Sequence, residues 1–443
     1  MESDSNEEDI SSIYSADFKH LQYIYLIGFL LSRAGNSLQL SYRYPIYASY
    51  GYSRSTIEFF YIIAHASALL IGTIFASLAD RFGRRLACIL CGILYIISSM
   101  SLHFRIFWIL AMGNLIRGVG NSFFHTEFDA WLIQEYKDRN LNMKSLPRVL
   151  RNSNVYGTIV SIATGFLAQI VVEFFGFIAP FDTSIIFFVI MIIYILLVWT
   201  ENHGNKEISP SSTFVSAFQV IRSDSRIVLH GLSTALFETA LYIYFIEWTP
   251  TLQQAKNFTI ADPLPFGLIF ACYKTFNMIG SFIFNEAVEK IRPQIFIIII
   301  AIPLMIGLSI PVIVPNAQFI ILIGFCTVEL CTGAYRPSIG LLRSEYIPNE
   351  VRSTIMNYIR IPQLILIILI LSFHFSLTII FCIAVGMIFL ATICLILLKD
   401  MKPPVQKADL SKTKVSVGQP PAPLYMTEQP QINVTDINSQ LKK

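Results

Sequence analysis

The chain alternates between long apolar runs and short polar segments along most of its length. A helix needs about 20 apolar residues to cross a bilayer, because the hydrocarbon layer is about 30 Å thick and each helical residue rises about 1.5 Å. Runs of this kind predict twelve helices, at 20–43, 55–78, 85–102, 104–134, 149–175, 182–200, 227–250, 264–287, 294–313, 317–343, 350–373 and 376–398. The pattern therefore predicts an all-α membrane protein.

A polar segment divides the predicted helices into two sets of six. Residues 201–226 are rich in Gly, Asn, Pro and Ser, a composition typical of a linker. We expect an N-terminal six-helix bundle over 20–200 and a C-terminal one over 227–398. Residues 1–19 are acidic and polar, and residues 399–443 are rich in Pro, Lys, Gln and Ser, so both segments are predicted to be disordered and cytoplasmic.

The composition excludes a soluble globular protein. Hydrophobic residues make up 54% of the 443-residue chain and charged residues only 14%. The acidic start lacks the basic and apolar regions of a cleavable signal peptide. All seven cysteines fall in apolar segments, so we expect no disulfides and expect Cys88 and Cys91 to pack without binding metal.

Basic residues concentrate in the loops of one side. With the N-terminus inside, the outer loops hold only Arg54, Arg105 and Lys256. The inner loops hold Arg81, Arg84, Arg85, Lys137, Arg139, Lys144, Arg148, Lys206, Arg222, Lys290, Arg292, Arg343 and Arg352. This bias predicts a multi-pass protein, expected in the cell membrane, with both termini cytoplasmic. A sequon at Asn257 then lies outside and is a candidate glycosylation site.

The loop after the second predicted helix carries a distinctive motif, ASLADRFGRR at 76–85. Asp80 can sit against a helix N-terminus and Gly83 permits a tight turn, while Arg81, Arg84 and Arg85 supply movable counter-charges. This spacing resembles the inner-loop signature of the major facilitator superfamily, in which the loop acts as a cytoplasmic latch. Alternatively, the three arginines only follow the positive-inside bias.

The end of the fourth predicted helix holds a cluster of acids in HTEFDAWLIQEY. Asp129 follows Arg117 by twelve residues, about 18 Å along a helix, which brings it to the cytoplasmic boundary. Glu127 points to nearly the opposite face. We expect Asp129 to be the partner of the latch arginines and Glu135 to be a solvated end charge, although a plain interfacial acid cluster is the alternative.

Longer motifs carry a closer resemblance. They are RGVGNSFFHTEFDAWLIQEY, SDSRIVLHGLSTALFETALYIYFIEWTP, VELCTGAYRPSIGLLRSEYIP with MNYIRIP and, more loosely, NSLQLSYRYPIYASYGY. Together, across about residues 20 to 365, they resemble the molybdate-anion transporter family of the major facilitator superfamily. The resemblance implies the major facilitator fold, two six-helix bundles and a secondary carrier working by alternating access. Asn36 stands where relatives often carry an acid, and Arg336 where a neutral aromatic is common.

Ionisable residues near mid-membrane point to the chemistry of the substrate. A charge there costs a few kcal/mol at least, so each is a candidate site residue. The candidates for substrate binding are Arg33, Arg117, Asn121, Lys274, Arg336 and Arg360. Cations outnumber the buried acids Glu238 and Glu329, which favours an anionic substrate. Alternatively, each cation is neutralised by a neighbouring carboxylate.

Moving a dianion inward against about 100 mV costs about 4.6 kcal/mol, so an importer needs coupled protons, whereas an exporter or a vacuolar carrier does not. Glu238 and Glu329 are the candidate proton carriers. We therefore expect a secondary transporter of molybdate or a similar oxyanion. A carrier of a sugar or organic anion, or a non-transporting membrane sensor with this fold, are the alternatives.

The sequence holds no phosphate-binding glycine loop, metal-ligand cluster or ATP-binding domain. We accordingly expect no enzyme activity and no cofactor. The expected partners are the small oxyanion and membrane lipid, without nucleic acid, and the expected state is a monomer.

Overall fold

The computed structural model describes residues 2–72, 82–143, 145–203, 219–255, 257, 259–261, 263–347 and 352–401. Thirteen helices occupy this described part: α1 Glu2–Leu40, α2 Arg43–Ser49, α3 Arg54–Leu70, α4 Arg84–Ser101, α5 Phe107–Asp138, α6 Leu146–Phe175, α7 Ala179–Val198, α8 Ser225–Gln254, α9 Phe266–Ala287, α10 Pro293–Ile313, α11 Gln318–Tyr346, α12 Arg352–Ser372 and α13 Leu377–Lys399. Each predicted span overlaps one long helix, and the all-α prediction is confirmed.

Two differences from the prediction concern the first span. Helix α1 begins at Glu2, so residues assigned to a disordered terminus are helical in the structure. The long apolar span provides the nucleus from which a helix extends. The span also ends earlier than expected, and Arg43–Ser49 forms the separate short helix α2. Pro45 suits its first turn, where a missing N–H costs nothing.

Eight of the described helices are long and apolar enough to cross a membrane by composition: α4, α6, α7, α8, α9, α10, α11 and α13. The long helices outside this set include α1 and α5, which carry many of the chain's polar and charged residues. Polar residues inside a membrane protein face the bundle interior, so these helices have polar faces directed away from lipid.

The two halves of the chain repeat one packing pattern. In the N-terminal half, α1 packs on α6 and α7, α5 packs on α3 and α4, and α4 packs on α7. In the C-terminal half, α8 packs on α12 and α13, α11 packs on α9 and α10, and α10 packs on α13. Equivalent helices thus have equivalent neighbours, as expected for two six-helix bundles related by an axis along the membrane normal.

The halves are joined at one end of the molecule and separate toward the other. We call the end where α13 finishes at Lys399 the terminal end, and the opposite end the distal end. One apolar core combines the distal residues Tyr42, Tyr47 and Tyr61 with the C-terminal half. Near the terminal end, the apolar residues of the N-terminal half form their own cluster, which includes Tyr25 and Trp131. The halves therefore share a core only toward the distal end of the described structure.

Helices α6 and α9 form the tightest described contact between the halves. A Cβ added to Gly165 would lie 2.8 Å from the carbonyl oxygen of Gly267, and one added to Gly267 would lie 2.5 Å from that of Gly165. The backbone N–H of Gly267 donates to the Oε1 of Gln169 at 3.2 Å and to the Oη of Tyr42 at 3.3 Å. Two glycines in register therefore allow the backbones to touch.

Candidate functional site

Five basic residues from both halves face one another between the bundles. They are Arg33 on α1, His125 on α5, Lys274 on α9, Arg336 on α11 and Arg360 on α12, called here the cation cluster. Arg33, Arg336 and Arg360 all lie within electrostatic reach of His125. Arg33 and Arg336 also lie within electrostatic reach of Lys274 and of each other. The five side chains thus form one electrostatic unit that spans the boundary between the halves.

The cation cluster borders an open space. His125, Arg336 and Arg360 have exposed side chains, although each lies well inside its helix. Since these groups also face one another across the two halves, their exposure comes from an opening between the bundles. Because the halves share a core only at the distal end, this opening, called here the chamber, faces the terminal end.

Lys274 differs from the other members because a carboxylate compensates its charge. Its Nζ lies 3.6 Å from an oxygen of Glu329, whose residue is 7% exposed. Asn277 on the same helix donates from Nδ2 to that carboxylate at 3.0 Å. Lys274 and Asn277 thus both contact Glu329 on α11, which is the neutralising alternative raised from the sequence.

The three arginines of the cation cluster have no such partner among the described residues. No Asp or Glu there lies within ion-pair distance of Arg33, Arg336 or Arg360. The Arg33 guanidinium lies over the rings of Phe29 and Phe124 at 5.9 and 5.7 Å, and its buried Nε has no described hydrogen-bond acceptor. The chamber therefore carries an excess of positive charge.

Two further site residues lie at the edges of this cluster. Glu238 on α8 is half-buried and close enough to Arg360 and Arg343 to attract both, so it compensates the positive charge only in part. Asn121 on α5 is half-buried, and its Oδ1 accepts a hydrogen bond from the hydroxyl of Tyr95 at 3.2 Å. The described contact of Asn121 is therefore with α4.

Arg117 lies apart, in a second basic group nearer the distal end. Its Nε and Nη2 donate to the Oδ1 of Asn114 at 3.3 Å, and its guanidinium lies 5.9 Å from the centre of the Tyr61 ring. Its charged neighbour is Arg43, which is 2% exposed and hydrogen-bonded to Gln39. The sequence placed Arg117 with the other cations, whereas the structure pairs it with an arginine that the sequence analysis had not selected.

The predicted latch lies partly outside the described residues, which include neither Asp80 nor Arg81. Gly83 has a φ of +122°, in a region that L side chains rarely adopt. Arg84 donates from Nη1 to the carbonyl of Ala130 at 2.8 Å. The backbone N–H of Arg85 donates to the Glu201 carboxylate at 2.9 Å, so the end of α7 supplies a cap for the start of α4.

Two acids at the end of α5, Asp129 and Glu135, have hydrogen-bond partners on other elements. The Oδ1 of Asp129 accepts a hydrogen bond from the hydroxyl of Tyr25 at 2.6 Å, so its described partner is on α1 and is not a latch arginine. Glu135 is not a solvated end charge. It is 4% exposed, forms an ion pair with Arg139 at 2.9 Å and accepts a hydrogen bond from Thr200 at 2.8 Å. Contacts from the segment that follows α7, including those of Thr200 and Asn202, bury it.

A third polar group closes the distal end and was missed by the sequence analysis. Arg54 at the start of α3 contacts Glu58 on its own helix at 2.8 Å and Glu247 on α8 at 2.9 Å. Its Nη1 also donates to the carbonyl of Phe375 at 3.1 Å. Arg54, Glu58 and Glu247, called here the distal cluster, thus join the two halves. An acid inside the apolar run of α8 was the available signal.

The candidate glycosylation site Asn257 lies in the loop between α8 and α9, at the distal end. Its side chain is exposed. Its backbone N–H donates to the carbonyl of Asn316 at 2.7 Å, and its carbonyl accepts from the N–H of Gln318 at 2.9 Å. The backbone is therefore held while the side chain faces solvent.

Comparisons with known proteins agree with this architecture. Residues 4–328 match the family described as sugar transporters with 12 transmembrane segments. The chain is 25% identical over 358 residues to the molybdate-anion transporter of Xenopus tropicalis, covering 78% of this chain and 77% of that protein. It is 25% identical over 387 residues to the molybdate-anion transporter of Danio rerio, covering 80% and 79%.

Solved structures show the same fold. The nucleoside transporter NupG superposes with a TM-score of 0.67 at 10% identity, over 86% of this chain and 98% of that one. The D-xylose-proton symporter superposes with a TM-score of 0.66 at 12% identity, over 87% and 98%. The predicted fold of two six-helix bundles is confirmed.

Proposed function

Because this chain belongs to the major facilitator superfamily, in the family described as sugar transporters with 12 transmembrane segments, we propose that it is a secondary transporter of molybdate or a similar oxyanion. The relatives that it matches over about four-fifths of its length are molybdate-anion transporters. The observation that carries the proposal is that Arg33, Arg336 and Arg360, which have no Asp or Glu within ion-pair distance among the described residues, border a chamber between the two halves.

The chemistry of the cation cluster suits a tetrahedral oxyanion. A guanidinium group presents a planar fork of N–H donors that matches two oxygens of one anion, and charge-assisted hydrogen bonds are about twice as strong as neutral ones. We assign substrate binding to Arg33, Lys274, Arg336 and Arg360. Arg117 and Asn121 lie further along the route between the cation cluster and the distal end.

In an alternating-access cycle, the structure corresponds to a state that is open at one end and closed at the other. The distal end is closed by shared core and by the distal cluster, whereas the chamber faces the terminal end. We assign the terminal end and both chain termini to the cytoplasmic side, because the basic loops lie there. The protein is proposed to be a monomer in the cell membrane. Arg84 and Arg85, with Asp80, Arg81, Gly83 and Asp129, then belong to a cytoplasmic latch.

Proton coupling is assigned to Glu238 and Glu329. Bringing in a dianion against the membrane potential costs about 4.6 kcal/mol per about 100 mV, which accompanying protons can offset. Both acids lie beside cluster cations, so a change in their charge alters how strongly those cations hold an anion.

A carrier of a neutral sugar is the second candidate, favoured by the description of the matching family. The two candidate functions differ in whether the substrate requires arginines that are not paired with a carboxylate. A neutral sugar offers no charge to compensate the cation cluster, so this candidate leaves Arg336 and Arg360 unexplained.

Uptake of labelled molybdate by transport-deficient cells that express the chain tests the proposal. We expect saturable uptake that excess tungstate or sulfate reduces and that excess xylose leaves unchanged. Arg336→Gln and Arg360→Gln should each lower uptake about tenfold or more, since one charge-assisted hydrogen bond contributes about 1.5–3 kcal/mol. Inhibition by xylose, with no effect of either oxyanion, would favour the sugar carrier.

Arg148→Gln is the matched control, because Arg148 is an exposed arginine at the terminal end. It should keep wild-type uptake at equal surface expression. If the two cluster variants transport as well as this control, the binding assignment is wrong.

A further inference from the structure

The distal cluster contains two buried acids and one arginine. Glu58 is 2% exposed and Glu247 is 0% exposed, and their carboxyl groups lie within hydrogen-bonding reach of each other. One oxygen of each is bound by the Nε of Arg54, at 2.8 and 2.9 Å. With both acids ionised, the cluster would hold a net negative charge although both carboxyl groups are buried.

Three polar atoms of the cluster have no described hydrogen-bond partner: the Nη2 of Arg54 and one oxygen of each acid. The Oε2 of Glu58 and the Oε1 of Glu247 are buried and have no described hydrogen-bond donor. A buried acceptor without a donor costs free energy, and two carboxylates in contact repel. A single proton removes both problems, because it neutralises one acid and supplies a donor to the other.

Other groups facing the pair do not supply this proton. His374 comes from the loop between α12 and α13, and its Nδ1 lies 3.8 Å from the Oε2 of Glu58, beyond hydrogen-bond distance, on a side chain that is 62% exposed. Tyr44 from α2 lies near Arg54 and both acids and is 6% exposed. Its phenol is neutral, so it does not balance the charge.

We propose that Glu58 and Glu247 form a proton-binding site that holds one shared proton while the distal end is closed and releases it when the halves separate there. The acids lie on α3 and α8, in different halves, so separation of these helices at the distal end exposes each carboxyl group to water. The shared proton is then lost. A role of this proton in driving transport rests on the proposed function. The existence of the proton-binding site does not.

The sign of the pH effect follows from this linkage. The closed distal end binds one proton more than the open one, so acid stabilises the closed state and alkali the open state. The ratio of closed to open molecules should change by up to about tenfold per pH unit where the pair titrates.

The test measures distal opening without any oxyanion. Spin labels are attached at Phe104→Cys and Ala261→Cys, exposed positions in distal loops of the two halves, after the seven native cysteines are replaced. Electron–electron distances are recorded for the full chain in detergent between about pH 5 and about pH 9. We expect the short-distance population to fall as the pH rises.

Glu58→Gln and Glu247→Gln each mimic the protonated acid, so either variant should keep the distal end closed across this range. Asp182→Asn is the control, because Asp182 is a distal acid whose side chain is 45% exposed and pairs with His103. It should retain the wild-type pH profile. Monodisperse elution of each variant shows that it has folded.

The proposal fails if both glutamine variants keep the wild-type pH profile, or if the profile is lost in His374→Gln and not in them. A pH-independent wild-type distance also overturns it. Loss of molybdate uptake in any variant does not enter this comparison, so failure of the proton site and failure of the oxyanion proposal remain distinguishable.

Discussion

The basic residues of the cation cluster differ in whether a carboxylate lies within ion-pair distance. Lys274 lies 3.6 Å from Glu329, whereas Arg336 and Arg360 have no ion-pair partner among the described residues and face the chamber. An uncompensated guanidinium is costly inside a membrane, so it persists where water or an anion can reach it. Arg336 is therefore free to bind an anion and Arg360 is compensated only in part by Glu238, while Lys274 is held partly by the acid on the neighbouring helix.

The ion pair of Lys274 and Glu329 allows structural and functional effects to be separated. Lys274→Gln leaves Glu329 buried without its cation, so we expect the unfolding temperature of the purified protein to fall by a few degrees. Lys274→Gln combined with Glu329→Gln removes both charges and should recover most of that loss. Both variants should still take up molybdate more slowly than the wild type, because the cation is absent in each.

Thermal unfolding in detergent and molybdate uptake measure the two effects independently. Should the double variant recover transport together with stability, Lys274 would have only a structural role. The Arg148→Gln variant, which alters an exposed charge, provides the reference for both measurements.

At the level of the helices, the close approach of the α9 and α11 backbones determines which of their side chains are in contact. A Cβ added to Gly333 on α11 would overlap the carbonyl oxygen of Asn277, and one added to Gly280 on α9 would overlap that of Leu330. The hydroxyl of Ser281 also donates across this contact to the carbonyl of Gly333 at 3.0 Å. This contact between α9 and α11 brings Lys274 beside its carboxylate partner.

Gly333→Ala is expected to force α9 and α11 apart. Overpacking of a close contact costs about 1–3 kcal/mol, which exceeds the gain of about 1 kcal/mol that alanine normally brings to a helix interior. The unfolding temperature should therefore fall. Gly386→Ala in α13 is the control, because no atom lies within 4 Å of its added Cβ, and it should be neutral or slightly stabilising. Equal unfolding temperatures for the two variants would contradict the close approach.

On the scale of the whole molecule, the two bundles are held together at the distal end and apart at the terminal end. The shared apolar core, the distal cluster and the contact between Gly165 and Gly267 all lie on the distal side. Rotation of one bundle against the other around the cation cluster would open the distal end and close the terminal end. The contact between α6 and α9 is therefore part of the closed state and not only of the fold.

Gly165→Ala should weaken distal closure, since its Cβ would meet the carbonyl oxygen of Gly267 at 2.8 Å. We expect the labels at Phe104→Cys and Ala261→Cys to shift toward longer distances at every pH. A cost of about 1–3 kcal/mol corresponds to about a fivefold to hundredfold change in the ratio of open to closed molecules. Gly386→Ala again serves as the control, and an unchanged distance distribution in Gly165→Ala would show that this contact does not limit opening.

The sequence by itself determined the class of the protein, the extent of most helices and their division into two halves. Hydropathy and helix length are local properties of the chain, so they can be read without knowledge of the neighbours. It also revealed an excess of cations at mid-membrane depth, because a charge within an apolar run is visible in the sequence. The family motifs extended this to a transporter.

Only the tertiary structure decided which of those charges meet. Asp129 contacts Tyr25 on another helix, Arg117 lies beside Arg43, and Glu247 meets Arg54, which is 193 residues away in the chain. Such contacts depend on how each helix is rotated and on which helices the two bundles bring together. That information is held in the packing of many side chains at once, so no local pattern contains it.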